Sequence, residues 1–112
     1  MKMTKSQTAR ALKHIRDAAM FEECAILFAE AYFYSGLQAR ALAVTYRDNA
    51  KRANEKVCAG YEFFGDAWTA LYYSEAGQAA KQDGKADAKK YTARIIERLA
   101  PIEDAKEAPI TD

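Results

Sequence analysis

The sequence contains few of the residues that break helices. Five glycines and two prolines occur among 112 residues, which is too few for a turn-rich all-β domain or a flexible linker protein. No apolar run reaches the roughly 18 residues that a membrane span requires, because Glu22, Glu23 and Glu30 interrupt the longest candidate, residues 18–34. These shortages predict an all-α protein without a membrane partner.

Residues that commonly carry chemistry are also scarce. His14 is the only histidine, and Asp17 is its only acidic neighbour at helical spacing. The sequence contains no glycine-rich phosphate loop, no G-x-S-x-G or H-E-x-x-H motif and no Asp-rich calcium loop. We therefore expect no catalytic residue, no metal site and no cofactor, and we predict that the protein is not an enzyme.

Cysteine is limited to Cys24 and Cys58, which form neither a C-x-x-C motif nor a local pair with histidine. Two such cysteines in an alanine-rich helical chain are typical of reduced core residues. Because reduced thiols persist in a reducing compartment, we predict a cytoplasmic location.

The first half of the chain has the pattern of a helical hairpin. Thr4 and Gln7 fit the capping box S/T-x-x-E/Q, which predicts a helix start near residue 5. Gly36 fits a helix C-terminus, and the short connection there predicts an antiparallel second helix. Apolar residues cover a broad face of residues 18–35 that the preceding turns do not share. The first helix therefore either bends near residues 16–19 or meets a different partner along its N-terminal half.

Small and apolar residues follow an alternating four-three spacing after Gly36. The positions are Ala39, Ala43, Tyr46, Ala50, Ala53, Val57, Gly60, Phe64, Ala67 and Leu71. This seam fits one helix over residues 37–82, or two helices separated near Gly60 or Gly65. We favour a kink or break near Gly60, because glycine in a helix interior costs about 1 kcal/mol.

The second half contains a further turn pattern at residues 82–84, Gln-Asp-Gly. A last helix is expected to follow it and to be limited by Pro101. Its in-phase apolar positions are Ala88, Tyr91, Ile95 and Leu99. Together these patterns predict a small antiparallel bundle of three to four helices, with a single helical domain over residues 1–102 and a flexible C-terminal tail over residues 103–112.

Charge alternates in blocks along the chain, although the net charge is only +1. A hairpin at Gly36 would place acidic residues 17–35 against basic residues 37–56. A hairpin at the second turn would place acidic residues 57–80 against basic residues 85–98. We interpret most of these charges as solvated flanks of the bundle, and the blocks favour antiparallel pairing.

Thirteen aromatic residues are more than one small core can readily bury. Four large side chains project away from the predicted buried faces, namely Ile26, Phe33, Phe63 and Tyr73. They either fill a second packed layer or form an exposed patch, which in a soluble monomer marks an interaction surface. We predict a non-catalytic protein-binding module, either an adaptor or a small inhibitor that occludes a partner protein, such as a phage-type accessory or anti-defence protein.

Two alternatives stay open. The first is a nucleic-acid-binding helical protein that contacts phosphates through basic helix faces. Its contact residues would be Arg40, Arg47, Lys51, Lys85, Lys89 and Lys90. The second alternative is a homodimeric structural scaffold, in which the alanine-rich seam pairs two copies if residues 37–82 form one long helix.

Overall fold

The protein is an elongated bundle of helices. The computed structural model describes the backbone of residues 2–110 and the side chains of residues 2–33 and 35–99. Its dimensions are 66 × 20 × 18 Å. Within the described residues no helix is both long and apolar enough to cross a lipid bilayer.

Four helical segments form the bundle in the described part of the chain, which confirms the predicted small all-α fold. Helix α1 spans Lys5–Phe64 and is interrupted at Gly36. Helix α2 spans Asp66–Tyr73, and helix α3 spans Glu75–Ile110. We refer to residues 5–35 and 37–64 as the first and second arms of α1. The short α2 crosses one end of the bundle, which we call the Gly65 end, and the opposite end is the Gly36 end.

The capping box and the reversal at Gly36 are as predicted. The Thr4 hydroxyl accepts a hydrogen bond from the Gln7 N–H (3.1 Å), and the Gln7 side-chain oxygen accepts one from the Thr4 N–H (2.9 Å). Gly36 has φ 68° and ψ −147°, a combination that is essentially restricted to glycine. The two arms are antiparallel, since the Phe28 and Tyr46 rings pack with their centroids 5.5 Å apart.

The break after the second arm lies at Gly65, so the predicted break near Gly60 is wrong. The helix continues through Gly60 and ends at Gly65, which has φ 58° and ψ −124°. The Gly65 N–H donates to the Tyr61 carbonyl at 2.7 Å. Because the chain leaves the helix here, a single helix over residues 37–82 is also excluded.

The predicted turn at residues 82–84 is wrong as well. Helix α3 already begins after Ser74, whose hydroxyl accepts a hydrogen bond from the Gly77 N–H (3.1 Å). Gly84 lies inside α3, and a Cβ built on it would be 2.3 Å from the Arg16 carbonyl oxygen. The absent side chain therefore lets α3 pack closely against the first arm.

Helix α3 continues through Pro101, where the sequence predicts its end, and reaches Ile110. The domain boundary at residue 102 and the flexible tail over residues 103–112 stay predictions. The last two residues of that tail, 111–112, lie outside the described part of the chain.

The direction of α3 changes the expected pairing of the charge blocks. Arg16 forms an ion pair with Asp87, while Leu27 and Thr92 line one groove further along. Helix α3 is therefore parallel to the first arm, and its basic residues 85–98 lie along the acidic first arm. The expected pairing of residues 57–80 with the last helix is wrong, because no hairpin forms at Gly84.

The core has two parts, which bury different faces of the first arm. Near the Gly65 end, Ala11 and Ile15 pack with Trp68 of α2. Towards the Gly36 end, Cys24 and Phe28 pack with Ala88 of α3. The first arm stays helical through residues 16–19 and meets a different partner along each half, which is the second of the two alternatives that the sequence allows.

Candidate protein-binding surface

The four apolar side chains singled out from the sequence are all exposed. The exposed fractions are 53% for Ile26, 80% for Phe33, 67% for Phe63 and 73% for Tyr73. They therefore do not fill a second packed layer. Their participation in partner binding stays a prediction.

The structure places these four side chains in three separate regions. Ile26 lies in the middle of the bundle, and Phe33 lies near the Gly36 end beside Tyr32, with ring centroids 5.9 Å apart. Phe63 and Tyr73 both lie at the Gly65 end. The second arm between the two ends has 28 residues, so the ends are roughly 42 Å apart. A single contact patch made of all four residues is excluded by this separation.

The Gly65 end carries a group of exposed aromatic side chains. Tyr61 is 56% exposed and joins Phe63 and Tyr73 there. The Phe63 ring packs edge-on against Phe64 (4.8 Å), and the Tyr73 ring packs edge-on against Tyr72 (5.0 Å). We call Tyr61, Phe63 and Tyr73 the aromatic surface, in which Phe63 lies on one side of Trp68 and Tyr61 and Tyr73 lie on the other. Tyr61 was not among the site residues predicted from the sequence, because it lies close to the predicted buried seam.

Trp68 lies between two open grooves at this end. The first groove, of about 470 Å³, runs between the two arms of α1 and includes Phe63. The second groove, of about 510 Å³, runs between the second arm and α2 and includes Tyr61 and Tyr73. Aromatic side chains therefore border two depressions that can accept side chains of another molecule.

The two grooves differ in charge. Among the described residues, the ionisable side chains that line the first groove are Arg10, His14 and Lys56, and none of the lining residues is a carboxylate. The second groove is lined by one charged side chain, Glu62. We call the first groove the basic groove. Its basic character was not predicted, because Arg10 and Lys56 are far apart in sequence and meet only when the two arms pair.

The pKa of His14 is lowered by burial and by the basic residues around it. Partial burial of the imidazole lowers its pKa, and the nearby charges of Lys56, Lys13 and Arg10 lower it further, while Asp17 opposes the shift. The sum of these effects favours the neutral imidazole. The sequence had indicated only a histidine on the helix surface.

The two cysteines have different environments, and both thiols are free. Cys24 is fully buried in the core, as predicted. Cys58 is exposed and lines the second groove, so the prediction that it is a core residue is wrong. Val57 and Gly60 occupy the buried side of the second arm. The Cys58 side chain therefore lies on the exposed side of this helix.

The basic residues considered for nucleic-acid binding do not form one continuous positive face. Arg47, Lys51 and Lys85 line a groove together with Glu22 and Glu23. Lys89 lines another groove, which also contains Glu30. The remaining candidates, Arg40 and Lys90, are exposed and line neither groove. Acidic side chains of the first arm therefore lie among the basic residues in both grooves.

Groups of histidine, cysteine and carboxylate side chains suited to hold a metal ion do not occur among the described residues. The chain was also compared with protein-family models, with curated proteins and with solved structures, and no match was found in any of the three. The surface itself is therefore the basis for a functional proposal.

Proposed function

We propose that the protein is a non-catalytic protein-binding module that binds a partner through the aromatic surface at the Gly65 end. The observation that carries this proposal is the exposure of Tyr61, Phe63 and Tyr73 around the buried ring of Trp68. Aromatic side chains are the commonest energetic anchors of protein interfaces. Leaving three of them in water is unfavourable, and covering them with a partner recovers that free energy.

The packing of these rings supports the proposal further. Phe63 and Tyr73 are each held edge-on by a neighbouring ring, so they lose little conformational freedom when a partner binds. The grooves on both sides of Trp68 provide concave space for a partner's side chains. Such a surface suits an adaptor, or an inhibitor that acts by occluding the surface of its partner.

An exposed free thiol at Cys58 is compatible with a reducing compartment. We include a cytoplasmic location in the proposal for this reason.

The proposal is tested with a double variant, Phe63→Ser with Tyr73→Ser. The tagged wild-type chain is used to capture binding proteins, and each captured protein is purified and titrated against both forms. We expect affinity for the true partner to fall by more than about tenfold, since truncation of interface anchors often costs 2 kcal/mol or more. Circular dichroism should show unchanged helicity, because both side chains are exposed.

The matched control is Phe33→Ser with Leu37→Ser, which removes two exposed apolar side chains at the Gly36 end. This variant should keep wild-type affinity. If the control variant loses binding and the Phe63 and Tyr73 variant retains it, the contact surface lies at the Gly36 end and the proposal is wrong.

A further inference from the structure

The basic groove extends beyond the Gly65 end along the two arms of α1. A second depression shares His14 and Lys56 with it and continues to Phe21 on the first arm. From Gln7 to Phe21 the continuous groove is roughly 21 Å long at 1.5 Å per residue. None of the residues that line it belongs to α3, so it lies entirely between the two arms and beside α2.

Basic side chains predominate along this length. Arg10, Arg52 and Lys56 are exposed and line the extended groove. Within the described part of the chain none of the three forms an ion pair. Asp17 is the only acid in the lining, and its carboxylate already accepts a hydrogen bond from the Lys13 ammonium group at 2.8 Å. In the described part of the chain the groove therefore presents basic side chains that no ion pair neutralises.

Small apolar residues form part of the floor of the groove. Ala11, Ala59 and Gly60 line its end near Trp68, and Ala53 lines the extension. Phe63 lines the same end and is largely exposed. Small residues let another helix approach closely, while the longer basic side chains at the rim remain able to reach its flanks.

We propose that the partner segment is an acidic amphipathic helix that lies in this groove, against the two arms of α1. The inference depends on the proposed function and adds the chemistry of the partner. One apolar face of the helix, with residues at i, i+3, i+4 and i+7, would contact the alanine floor and Phe63. Its carboxylates would pair with Arg10, Arg52 and Lys56. A helix of about 14 residues matches the length of the groove.

The same features disfavour a nucleic-acid strand in the groove. Single-stranded nucleic acids bind where successive bases stack on several exposed aromatic faces, whereas among the described residues Phe63 is the one largely exposed ring in the groove and Trp68 is only 4% exposed. The observations therefore favour a polypeptide over a polynucleotide as the negatively charged partner.

The test is a selection of peptides of about 15 residues from a random displayed library on the immobilised full-length chain. The enriched peptides are synthesised with a fluorescent label and titrated by anisotropy. We expect an excess of Asp and Glu with apolar residues at helical spacing, and an affinity that weakens as salt increases. The charge-reversal variant Arg10→Glu with Lys56→Glu should bind these peptides at least about tenfold more weakly.

The matched control is Lys89→Glu with Lys90→Glu, which makes the same change of charge at two exposed bases outside the groove. It should bind the peptides with an affinity close to that of the wild type. Circular dichroism and thermal unfolding are measured on both variants and should match the wild type if the fold is intact. An equal loss of binding in both variants would mean that net charge alone decides affinity, and it would overturn the inference.

Further outcomes separate this inference from the proposed function. Peptides that depend on Tyr61 and Tyr73 but not on Arg10 and Lys56 would overturn the acidic-helix inference and leave the proposed function in place. A library that yields no peptide sensitive to either set would overturn both. Displacement of the peptides by a single-stranded oligonucleotide at equal concentration would assign the groove to a nucleic acid and overturn the inference.

Discussion

The ring of Trp68 occupies the space that a side chain at Gly60 would fill. A Cβ built on Gly60 would lie 2.7–2.9 Å from three atoms of the ring, which is closer than van der Waals contact allows. Trp68 is the buried residue of α2 and also packs on Ala11 and Ile15. This contact therefore fixes α2 against both arms of α1 and positions Tyr73 at the edge of the aromatic surface.

Gly60→Ala should destabilise the protein, although alanine is the better helix former. The substitution gains about 1 kcal/mol of helix propensity, but overpacking against the indole ring costs about 1–3 kcal/mol. We expect a lower midpoint of thermal unfolding, measured by circular dichroism. In the double variant with Trp68→Phe the smaller ring makes room, so the effect of Gly60→Ala should shrink. A higher midpoint for Gly60→Ala alone would contradict the packing described.

Gly84→Ala should destabilise the protein by about 1–3 kcal/mol. Backbone atoms of the first arm fill the space beside Gly84, and they cannot move aside as a flexible side chain can. The added methyl group would meet the Arg16 carbonyl oxygen and force α3 away from the first arm. Chemical denaturation of the variant measures the change. The exposed neighbouring position, Asp83→Ala, is the control and should change the unfolding free energy little. Equal stability of the Gly84 variant and the wild type would indicate a turn here, as the sequence alone suggested.

The local signals in the sequence predicted some helix ends correctly and others not. The capping box at Thr4 and the reversal at Gly36 involve neighbouring residues only, and both are found in the structure. The sequence predicts a break near Gly60, because glycine is unfavourable in a helix, and a turn at Gly84, because it follows Gln82 and Asp83 in a turn pattern. Both instead accommodate distant groups, the Trp68 ring and the Arg16 carbonyl. A single sequence does not contain the information about which distant group packs against a glycine.

The candidate site was predictable in part. Phe63 and Tyr73 project away from the buried faces, and periodicity is sufficient to recognise such positions. Their grouping with Tyr61 depends on the break at Gly65, whereas the sequence favours a break near Gly60. The basic groove combines Arg10 with Lys56, and that combination requires the register of the two arms. The only hint in the sequence is that residues 1–16 contain five bases and no acid.

Tyr46→Phe should reduce stability by about 1 kcal/mol through loss of one partly buried hydrogen bond. The Tyr46 hydroxyl donates to the Tyr91 hydroxyl at 2.6 Å. Burial raises the pKa of Tyr46, and the hydrogen bond to Tyr91 raises it further. The folded-state pKa is thus above the unfolded value of about 10, so this stabilisation is present below that pH and is lost as pH rises above it.

Denaturation curves measured from about pH 9 to pH 11 test this dependence. The wild type should lose more stability over this range than the Tyr46→Phe variant does. Parallel loss in the two proteins would show that Tyr46 ionises as readily in the folded chain as in the unfolded chain.

The two thiols should react at very different rates with a disulfide reagent at neutral pH. Cys58 is exposed, whereas Cys24 is fully buried. Burial raises the pKa of the Cys24 thiol to about 11, and the nearby Glu23 charge contributes. Because the thiolate is the reactive form, we expect one fast and one slow reaction. Cys58→Ala should remove the fast phase, and Cys24→Ala should leave it. Two equally fast thiols would contradict the burial of Cys24.

The mass of the purified protein in solution tests the central claim most directly, because that claim leaves the aromatic surface free for a different protein. Light scattering combined with small-angle X-ray scattering should show a monomer of 12.5 kDa with a long dimension near 66 Å. A dimer that dissociates when Phe63 and Tyr73 are both replaced by serine would show that the aromatic surface serves self-association, and it would contradict the account.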